Sequence, residues 1–469
     1  MPPIHAFVDD ALADHDAVEL ARQVAARTVS PAELATAALD RARRVNDTLR
    51  AVAATYPEPR FAPEGRGALS GIPTYIKDNV DVAGLPTQHG SVAFTAPAAR
   101  RDGQVTRQFL ATGVTVLGKS RLPEFGLTPT TEFATQEPAR NPWHLNHSPG
   151  GSSGGAAALV ASGVVPLAHG NDGGGSIRIP AACAGLVGLK TNRGRLLDSE
   201  QTRLMPLNLV SEGVLTRTVR DSAAFLAAAE RYHRNPALPP IGEVMGPAMR
   251  RLRIGLVTES PTGAVVDEPT MAAVEATARI LEKAGHIVEP TSPPVTTRFV
   301  HDFTLYWAFL ADVLTTTGRF GFGASWNTAD AEHATRGLRA YHRRTLHQTP
   351  AALRRLRRFR HVYDTWLARH DVILSPVVAH TAPELGYFAG TSSFDELLAR
   401  MANFVSFTPV NNVAGSPAIA IPAGLSPDGL PVAIHLSAAY GDERTLLELA
   451  YLLEAEQPFP RIDGRAPAV

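Results

Sequence analysis

Cysteine is almost absent from this chain, since Cys183 is the only one among 469 residues. A lone cysteine excludes an intramolecular disulfide and is typical of a reducing compartment. Net charge is lacking too, because 45 lysines and arginines balance 45 aspartates and glutamates. Without a net field, the chain has no general attraction for nucleic acid or for an anionic membrane. We therefore expect neither a nucleic-acid partner nor membrane association.

Long apolar runs are also missing. The stretch of lowest polarity, residues 156–168, is too short and too interrupted by glycine and proline to span a bilayer. The first residues, MPPIHAFVDDALADHD, contain early acids and no apolar segment like that of a secretory signal. These absences predict a cytoplasmic protein.

Helical and strand-like segments alternate along most of the chain. The first sixty residues have a largely helical pattern, with a Ser-Pro-Ala-Glu capping box at 30–33. A strand–helix–strand unit is indicated over 251–290. Further buried strands are expected at 371–378, 416–424 and 431–439. The alternation predicts an α/β fold whose sheet is covered by helices on both faces. No repeat or charged linker divides the chain, so we expect one domain over 1–469.

The most unusual composition lies in residues 148–180, SPGGSSGGAAALVASGVVPLAHGNDGGGSIRIP. An acyl-transfer enzyme needs a nucleophile, a base and donors aimed at the developing oxyanion. Gly173, Gly174 and Gly175 directly precede Ser176, and their amide groups can line a small concavity. A tight turn usually needs only one glycine. The run therefore favours a nucleophilic serine beside an oxyanion hole.

A base for this serine is less evident from the residues. His169 precedes the glycine run and is more typical of a packed histidine at a strand end. Lys77 follows an apolar strand in GIPTYIKDN. Burial lowers the pKa of a lysine and makes its amine a base at neutral pH. The pattern alone is equally compatible with a surface lysine at this position.

Two short motifs point to other chemistry, and both fail in context. Gly113–Ser120 matches the P-loop pattern, but its apolar, β-branched interior predicts a strand rather than a phosphate-binding loop. Gly151–Gly155 matches the esterase pattern G-x-S-x-G, with Ser153 as the nucleophile. The residues before it are not strand-like, and neither His380 nor His435 lies in a context that indicates a triad partner. We expect neither nucleotide binding nor an esterase triad.

Taken in order, the motifs of the chain closely resemble those of the amidase signature family of serine hydrolases. They are the capping-box helix, GIPTYIKDN, VLGKSRLPEFG, TTEFATQEPARNPW, PGGSSGG, GNDGGGSIRIPA, GLVGLK, FTPVNNVAGSPAIAIPAG and DGLPVAIHLSAAYGDERTLL. The resemblance implies the amidase-signature fold, with a large mixed β-sheet core. It also implies a signature core at about 65–230 and 395–469 and a more variable substrate-pocket segment at about 295–395. The chain looks most similar to the aminohexanoate cyclic-dimer hydrolase branch.

The resemblance carries a Ser–cisSer–Lys triad onto three residues of this chain. Ser176 matches the acylating nucleophile, Ser152 the bridging serine and Lys77 the general base. The peptide bond before Ser152 is then expected to be cis. The oxyanion hole is expected from the backbone amides of Gly173, Gly174, Gly175 and Ser176.

Other residues are expected to support the triad or to contact the substrate. Those that brace the two serine loops are Ser153, Asp172 and Arg178. Those that contact the substrate are Thr131, Asn171, Tyr306 and Trp307. The chain departs from many family members, which carry Thr-Asp-Thr where it has Asn171-Asp172-Gly173, and a glutamine where it has His435. No metal or cofactor is implied.

The expected function is hydrolysis of a C–N bond in a linear or cyclic carboxamide, through an acyl-enzyme intermediate. The enzyme would act on a small-molecule amide as a monomer or homodimer. An alternative is the A subunit of a glutamyl-tRNA amidotransferase-like complex, which shares the triad but passes ammonia to a partner. A non-catalytic scaffold is less consistent with the presence of Lys77, Ser152 and Ser176 together.

Overall fold

The computed structural model describes residues 2–62, 67–389 and 393–464. The strands are β1 Val52–Arg60, β2 Pro73–Lys77, β3 Thr115–Ser120, β4 Leu167–Asp172, β5 Val187–Lys190, β6 Ser211–Thr216, β7 Arg253–Leu256, β8 Ile287–Pro290, β9 Val372–Pro376, β10 Ala418–Leu425 and β11 Pro431–Ala438. The α-helices are α1 Ala17–Ala25, α2 Pro31–Leu49, α3 Gln104–Ala111, α4 Gly154–Ala161, α5 Arg178–Ala184, α6 Val219–Tyr232, α7 Glu268–Lys283, α8 Thr297–Gly321, α9 His333–Thr345, α10 Thr349–Leu367, α11 Phe394–Phe404, α12 Pro409–Ala414 and α13 Glu443–Glu456.

Eight strands form one mixed sheet in the order β4-β6-β5-β10-β11-β9-β7-β8. Strand β7 runs parallel to β8 and β9, and the other neighbours are antiparallel. Every residue of β4, β5, β6, β9 and β11 is buried. Successive side chains of a strand point to opposite faces, so uniform burial means that both faces are covered. The predicted mixed α/β architecture is confirmed.

A smaller sheet of three strands, in the order β1-β3-β2, is formed by residues that come earlier in the chain than the glycine-rich stretch 148–180. Strand β2 is parallel to β3 and ends with Lys77 opposite Ser120. The same strand packs against β4 of the large sheet. Lys77 is therefore brought to the strand that leads into the nucleophile loop.

The N-terminal segment differs in part from its predicted helical character. The capping box is present, because Ser30 Oγ accepts the amide of Glu33 at 3.2 Å and Glu33 Oε2 accepts the amide of Ser30 at 2.8 Å. Residues 52–60, however, form strand β1, which pairs with β3. The alternating exposure along β1 is that of an edge strand with one covered face, a pattern that the helical interpretation overlooked.

The segment that matches the P-loop pattern is strand β3, as its apolar interior predicts. Its lysine, Lys119, is fully buried and lies 2.7 Å from Asp78 Oδ1. This lysine is therefore enclosed by protein groups. Among the helices of the described residues, none combines the length and the apolar character needed to cross a membrane.

Candidate active site

Lys77 lies at the end of β2 with its side chain fully buried. Its Nζ is 2.8 Å from Ser152 Oγ and 2.7 Å from Asn171 Oδ1. Burial lowers the pKa of Lys77 to about 7, although the negative charges of Glu212 and Asp172 oppose this shift. A lysine with such a pKa is partly neutral near neutral pH, and its amine can then accept a proton.

Ser152 stands in the loop just before α4, and the peptide bond between Gly151 and Ser152 is cis. Its hydroxyl contacts Lys77 Nζ and lies close to Gly126. A Cβ placed on Gly126 would lie only 3.0 Å from Ser152 Oγ. A side chain at position 126 would therefore crowd the Ser152 hydroxyl.

Ser176 lies between β4 and α5 and is 9% exposed. It lines the cavity beside the site, together with Gly174. Gly175 adopts a φ of +134°, and a Cβ there would lie 2.4 Å from Thr408 Oγ1, so only glycine fits. The turn presents Ser176 at the surface of the cavity.

The predicted oxyanion donors divide into two groups. The Gly175 amide donates to Asp172 Oδ1 at 2.7 Å and is therefore already used. The amides of Gly173, Gly174 and Ser176 have no hydrogen-bond acceptor within the residues that the structure describes. Of the four predicted donors, these three amides are therefore free, while the amide of Gly175 is used within the loop.

Asp172 and Arg178 form a fully buried ion pair beneath the loop. Arg178 Nε lies 2.8 Å from Asp172 Oδ2, and Nη2 lies 2.9 Å from Oδ1. Burial alone would raise the pKa of Asp172, but the charge and hydrogen bonds of Arg178 hold it well below its usual range. The carboxylate also accepts the amide of Ile177 at 3.2 Å. The pair thus holds the backbone on both sides of Ser176.

Ser153 joins the two serine loops through its own backbone and side chain. Its amide donates to the Ser176 carbonyl oxygen at 3.3 Å, and its hydroxyl donates to the Asn171 carbonyl oxygen at 3.4 Å. His435, one of the histidines considered for an esterase triad, instead lies 3.1 Å from Arg178 Nη1 through its Nε2. The side chain of Ser153 has the contacts of a supporting residue.

The four predicted substrate contacts are placed differently. Trp307 lines the cavity, and its Nε1 donates to the Leu127 carbonyl oxygen at 3.1 Å. Tyr306 does not line it, because adjacent helical residues point about 100° apart, and its hydroxyl donates to the Leu207 carbonyl oxygen at 2.6 Å.

Thr131 and Asn171 also lie outside the cavity lining. Thr131 Oγ1 donates to the Gly150 carbonyl oxygen at 3.0 Å and so supports the loop before Ser152. Asn171 directs its side-chain oxygen to Lys77. Asn171 therefore contacts a catalytic candidate and Thr131 contacts the loop that leads to another, and neither lines the space in front of them.

The cavity in front of Ser176 is predominantly apolar. It extends between α8 and α11, and the polar side chains among its described lining residues carry hydroxyl groups only. These are Thr128, Thr262, Thr304, Ser176 and Ser406. The larger apolar side chains are Leu127, Ile179, Val295, Phe299, Val300, Phe303, Trp307, Leu338, Leu398, Met401 and Val405. None of the described lining residues has a charged side chain.

Some supporting residues were not identified from the sequence. Asn412 Nδ2 donates to Asp172 Oδ1 at 2.8 Å, and Thr408 Oγ1 donates to the Gly174 carbonyl oxygen at 2.6 Å. Both lie in the motif FTPVNNVAG, far along the chain from the glycine run. The polar residues of that motif stand within an otherwise apolar stretch, and this pattern could have indicated buried residues that support the site.

Comparisons with known proteins identify the family. The family model described as Amidase matches residues 24–447. AmiC of Mycobacterium tuberculosis, named as a candidate amidase, is 47% identical over 468 residues, covering 98% of both chains. AmiA2 of the same organism, also named as a candidate amidase, is 36% identical, covering 86% of this chain and 83% of that protein.

Solved structures are similar over nearly the whole chain. A 6-aminohexanoate cyclic dimer hydrolase has a TM-score of 0.85 at 29% identity, covering 98% of this chain and 99% of that one. A bacterial aryl acylamidase of the amidase signature family has a TM-score of 0.82 at 25% identity, with 97% and 99% covered. A glutamyl-tRNA(Gln) amidotransferase component from Thermotoga maritima has a TM-score of 0.78 at 23% identity, with 98% and 100% covered, and shows the fold alone.

The family match spans most of the chain, and the mycobacterial relatives are similar over almost all of it. The predicted fold and enzyme class, an amidase-signature α/β fold and a hydrolase of carbon–nitrogen bonds, are confirmed at this level. The chain belongs to the amidase family.

Proposed function

We propose that this chain hydrolyses small carboxamides through a relay of Lys77, Ser152 and Ser176. The contact that carries the proposal is the 2.8 Å distance between Lys77 Nζ and Ser152 Oγ in a fully buried setting. A buried amine that touches a hydroxyl is suited to withdraw its proton. Ser176, at the cavity surface, is the group that a substrate carbonyl can reach.

In the acylation step, Ser176 Oγ attacks the carbonyl carbon and gives its proton to Ser152. Ser152 at the same time gives its own proton to the neutral amine of Lys77. The negative charge on the carbonyl oxygen is met by free amides of the nucleophile loop, among them those of Gly174 and Ser176. The proton returns through Ser152 to the leaving nitrogen, and the amine departs. Water then attacks the acyl-enzyme, gives its proton to the same relay, and releases the carboxylic acid as Ser176 recovers its proton.

The cavity favours an uncharged, apolar acyl group. Its described lining offers aromatic and aliphatic surface and hydroxyl groups, but no charged side chain. A charged acyl group would lose its hydration there without gaining an ionic partner, a cost of several kcal/mol. Linear and cyclic amides both meet this requirement, and the likeness to the cyclic dimer hydrolase supports the cyclic class. The amidotransferase alternative has no comparable support from the lining.

The test compares Ser176→Ala with the matched variant Ser153→Ala. The substrates are hexanamide, benzamide and the cyclic dimer of 6-aminohexanoate, with 6-aminohexanamide as the charged counterpart of hexanamide. We expect Ser176→Ala to lose activity by more than about a thousandfold, while Ser153→Ala keeps most of it. Undiminished hydrolysis by Ser176→Ala would overturn the proposed nucleophile.

The same panel tests the acyl group. We expect kcat/KM for 6-aminohexanamide to be at least about 100-fold below that for hexanamide, because the ammonium group must be buried unpaired. Equal values for the two would contradict the proposed substrate class.

Activity of the purified chain on its own would also exclude an obligate glutaminase-linked role. The cytoplasmic location and the monomeric or homodimeric state stay predictions of the sequence.

A further inference from the structure

The amine of Lys77 is surrounded by three oxygen atoms. Ser152 Oγ lies 2.8 Å from Nζ, Asn171 Oδ1 lies 2.7 Å away, and the Asn171 carbonyl oxygen lies 3.4 Å away. Two of these oxygens belong to one residue, and neither carries a hydrogen atom. Among these three neighbours, only the hydroxyl of Ser152 has a proton to give.

This distribution of donors and acceptors orients the neutral amine. A neutral lysine has two N–H groups and one lone pair. The two oxygens of Asn171 accept the N–H groups, so the lone pair is left facing the hydroxyl of Ser152. We propose that Asn171 is a positioning residue for the general base, an uncharged acceptor that turns the lone pair of Lys77 toward Ser152. The proposal rests on the relay proposed above and extends it by one residue.

Asn79 pairs with the side-chain amide of Asn171. Asn79 Nδ2 donates to Asn171 Oδ1 at 3.3 Å, and Asn171 Nδ2 donates to Asn79 Oδ1 at 3.2 Å. The 2.7 Å contact with Lys77 Nζ selects the oxygen end of the Asn171 amide, because an NH₂ group there would oppose the N–H groups of the amine. The backbone amide of Asn79 also donates to the Lys77 carbonyl oxygen at 2.8 Å. Lys77 and the residue that pairs with the Asn171 side chain therefore belong to one turn.

Strand β4 gives Asn171 and Asp172 separate duties. Neighbouring strand residues point to opposite faces. Asn171 accordingly contacts Lys77, whereas the next residue, Asp172, binds Arg178 below the nucleophile loop. One strand thus positions the base on one face and the nucleophile loop on the other.

The charged groups around Lys77 explain why the acceptor is uncharged. Asp172 on β4 and Glu212 on β6 favour the ammonium form, and burial opposes them. His169 on β4 accepts the Lys77 backbone amide through Nδ1 at 3.1 Å, and its Nε2 lies 2.8 Å from Glu212 Oε2. A carboxylate at position 171 would touch the amine directly and favour its charged form, which cannot act as a base.

The experiment measures the pH profile of kcat/KM for hexanamide with Asn171→Asp and Asn171→Ala. The acid limb of this profile reports the ionisation of the free enzyme. Asn171→Asp should move the limb at least one pH unit toward alkali, which is at least a tenfold loss at pH 6 with recovery near pH 9. Asn171→Ala removes an acceptor of the ammonium form and should move the limb toward acid, with a lower plateau because the amine is less well oriented. A merely structural role would not produce shifts of opposite sign.

Asn146→Asp is the matched control, since Asn146 is exposed and its substitution adds the same charge elsewhere. Its profile should coincide with that of the wild type.

If Asn171→Asp does not fold, the proposal is tested by comparing Asn171→Thr with Asn171→Ala. The threonine variant keeps an uncharged acceptor and the alanine variant does not. The threonine variant should keep the wild-type limb while the alanine variant shifts. Limbs that stay in place, or that move in the same direction in the Asp and Ala variants, would overturn the proposal. A wild-type profile without an acid limb would instead contradict the proposed base.

Discussion

Two fully buried lysines lie on neighbouring strands and have different partners. Lys119 in β3 lies 2.7 Å from Asp78 Oδ1 and donates to the Pro86 carbonyl oxygen at 2.9 Å and to Thr87 Oγ1 at 2.8 Å. Lys77, at the end of β2, contacts a serine hydroxyl and the two oxygens of an asparagine. The carboxylate next to Lys77 in the chain, Asp78, is the one that binds the other lysine.

The difference shows that burial alone does not make a lysine a base. Burial lowers the pKa of both amines. For Lys119, the charge and hydrogen bond of Asp78 oppose that shift, and all of its polar partners stabilise an ammonium ion. For Lys77, no carboxylate touches the amine within the described contacts, and the more distant Asp172 and Glu212 leave its pKa at about 7. A touching carboxylate thus favours the ammonium form of Lys119, and Lys77 has no such contact among the described residues.

Of the two lysines, Lys77 should give the larger change in activity when its amine is removed. We expect Lys77→Met to lower kcat/KM at pH 7 by about a thousandfold, because general-base assistance is worth about 10² to 10⁴ in rate. Activity should recover partly in alkali, where hydroxide can replace the missing base. A loss of the same size at every pH would indicate that Lys77 is structural.

Removing the amine of Lys119 should instead change stability. Lys119→Met leaves Asp78 buried without its ionic partner, and breaking a buried pair in this way costs about 3–5 kcal/mol. Urea unfolding monitored by circular dichroism measures this loss. The double variant Lys119→Met/Asp78→Asn removes the remaining charge and should recover part of it. Activity per folded molecule should stay within a few-fold of wild type, and a thousandfold loss would contradict the division between the two lysines.

Local patterns predicted much of the fold. The capping box, the apolar strands and the strand character of 115–120 follow from neighbouring residues, and the structure has them. Partner choice was harder to predict. Asp78 follows Lys77 in the chain yet binds Lys119, and Asn171, expected to contact the substrate, binds Lys77. These pairings depend on how β2, β3 and β4 meet, which a linear pattern does not contain.

The pH dependence of stability gives the smallest expected effect and separates the two lysines without an activity assay. The folded-state pKa of Lys77 is lowered to about 7 from its ordinary 10.5, so between these values the unfolded chain holds a proton that the folded chain has lost. Wild-type stability should therefore rise with pH across this window, relative to Lys77→Met, by up to about 1.4 kcal/mol per pH unit.

The stability advantage of Lys77→Met over wild type should accordingly be greatest near pH 7 and fall to about a third of that value by pH 9.5. Urea midpoints at four pH values between 7 and 9.5 measure the trend. The reference is Lys283→Met, because Lys283 is exposed on α7 and keeps its ordinary hydration. A constant difference between wild type and Lys77→Met would mean that the buried amine holds its proton throughout, as expected for a lysine paired directly with a carboxylate.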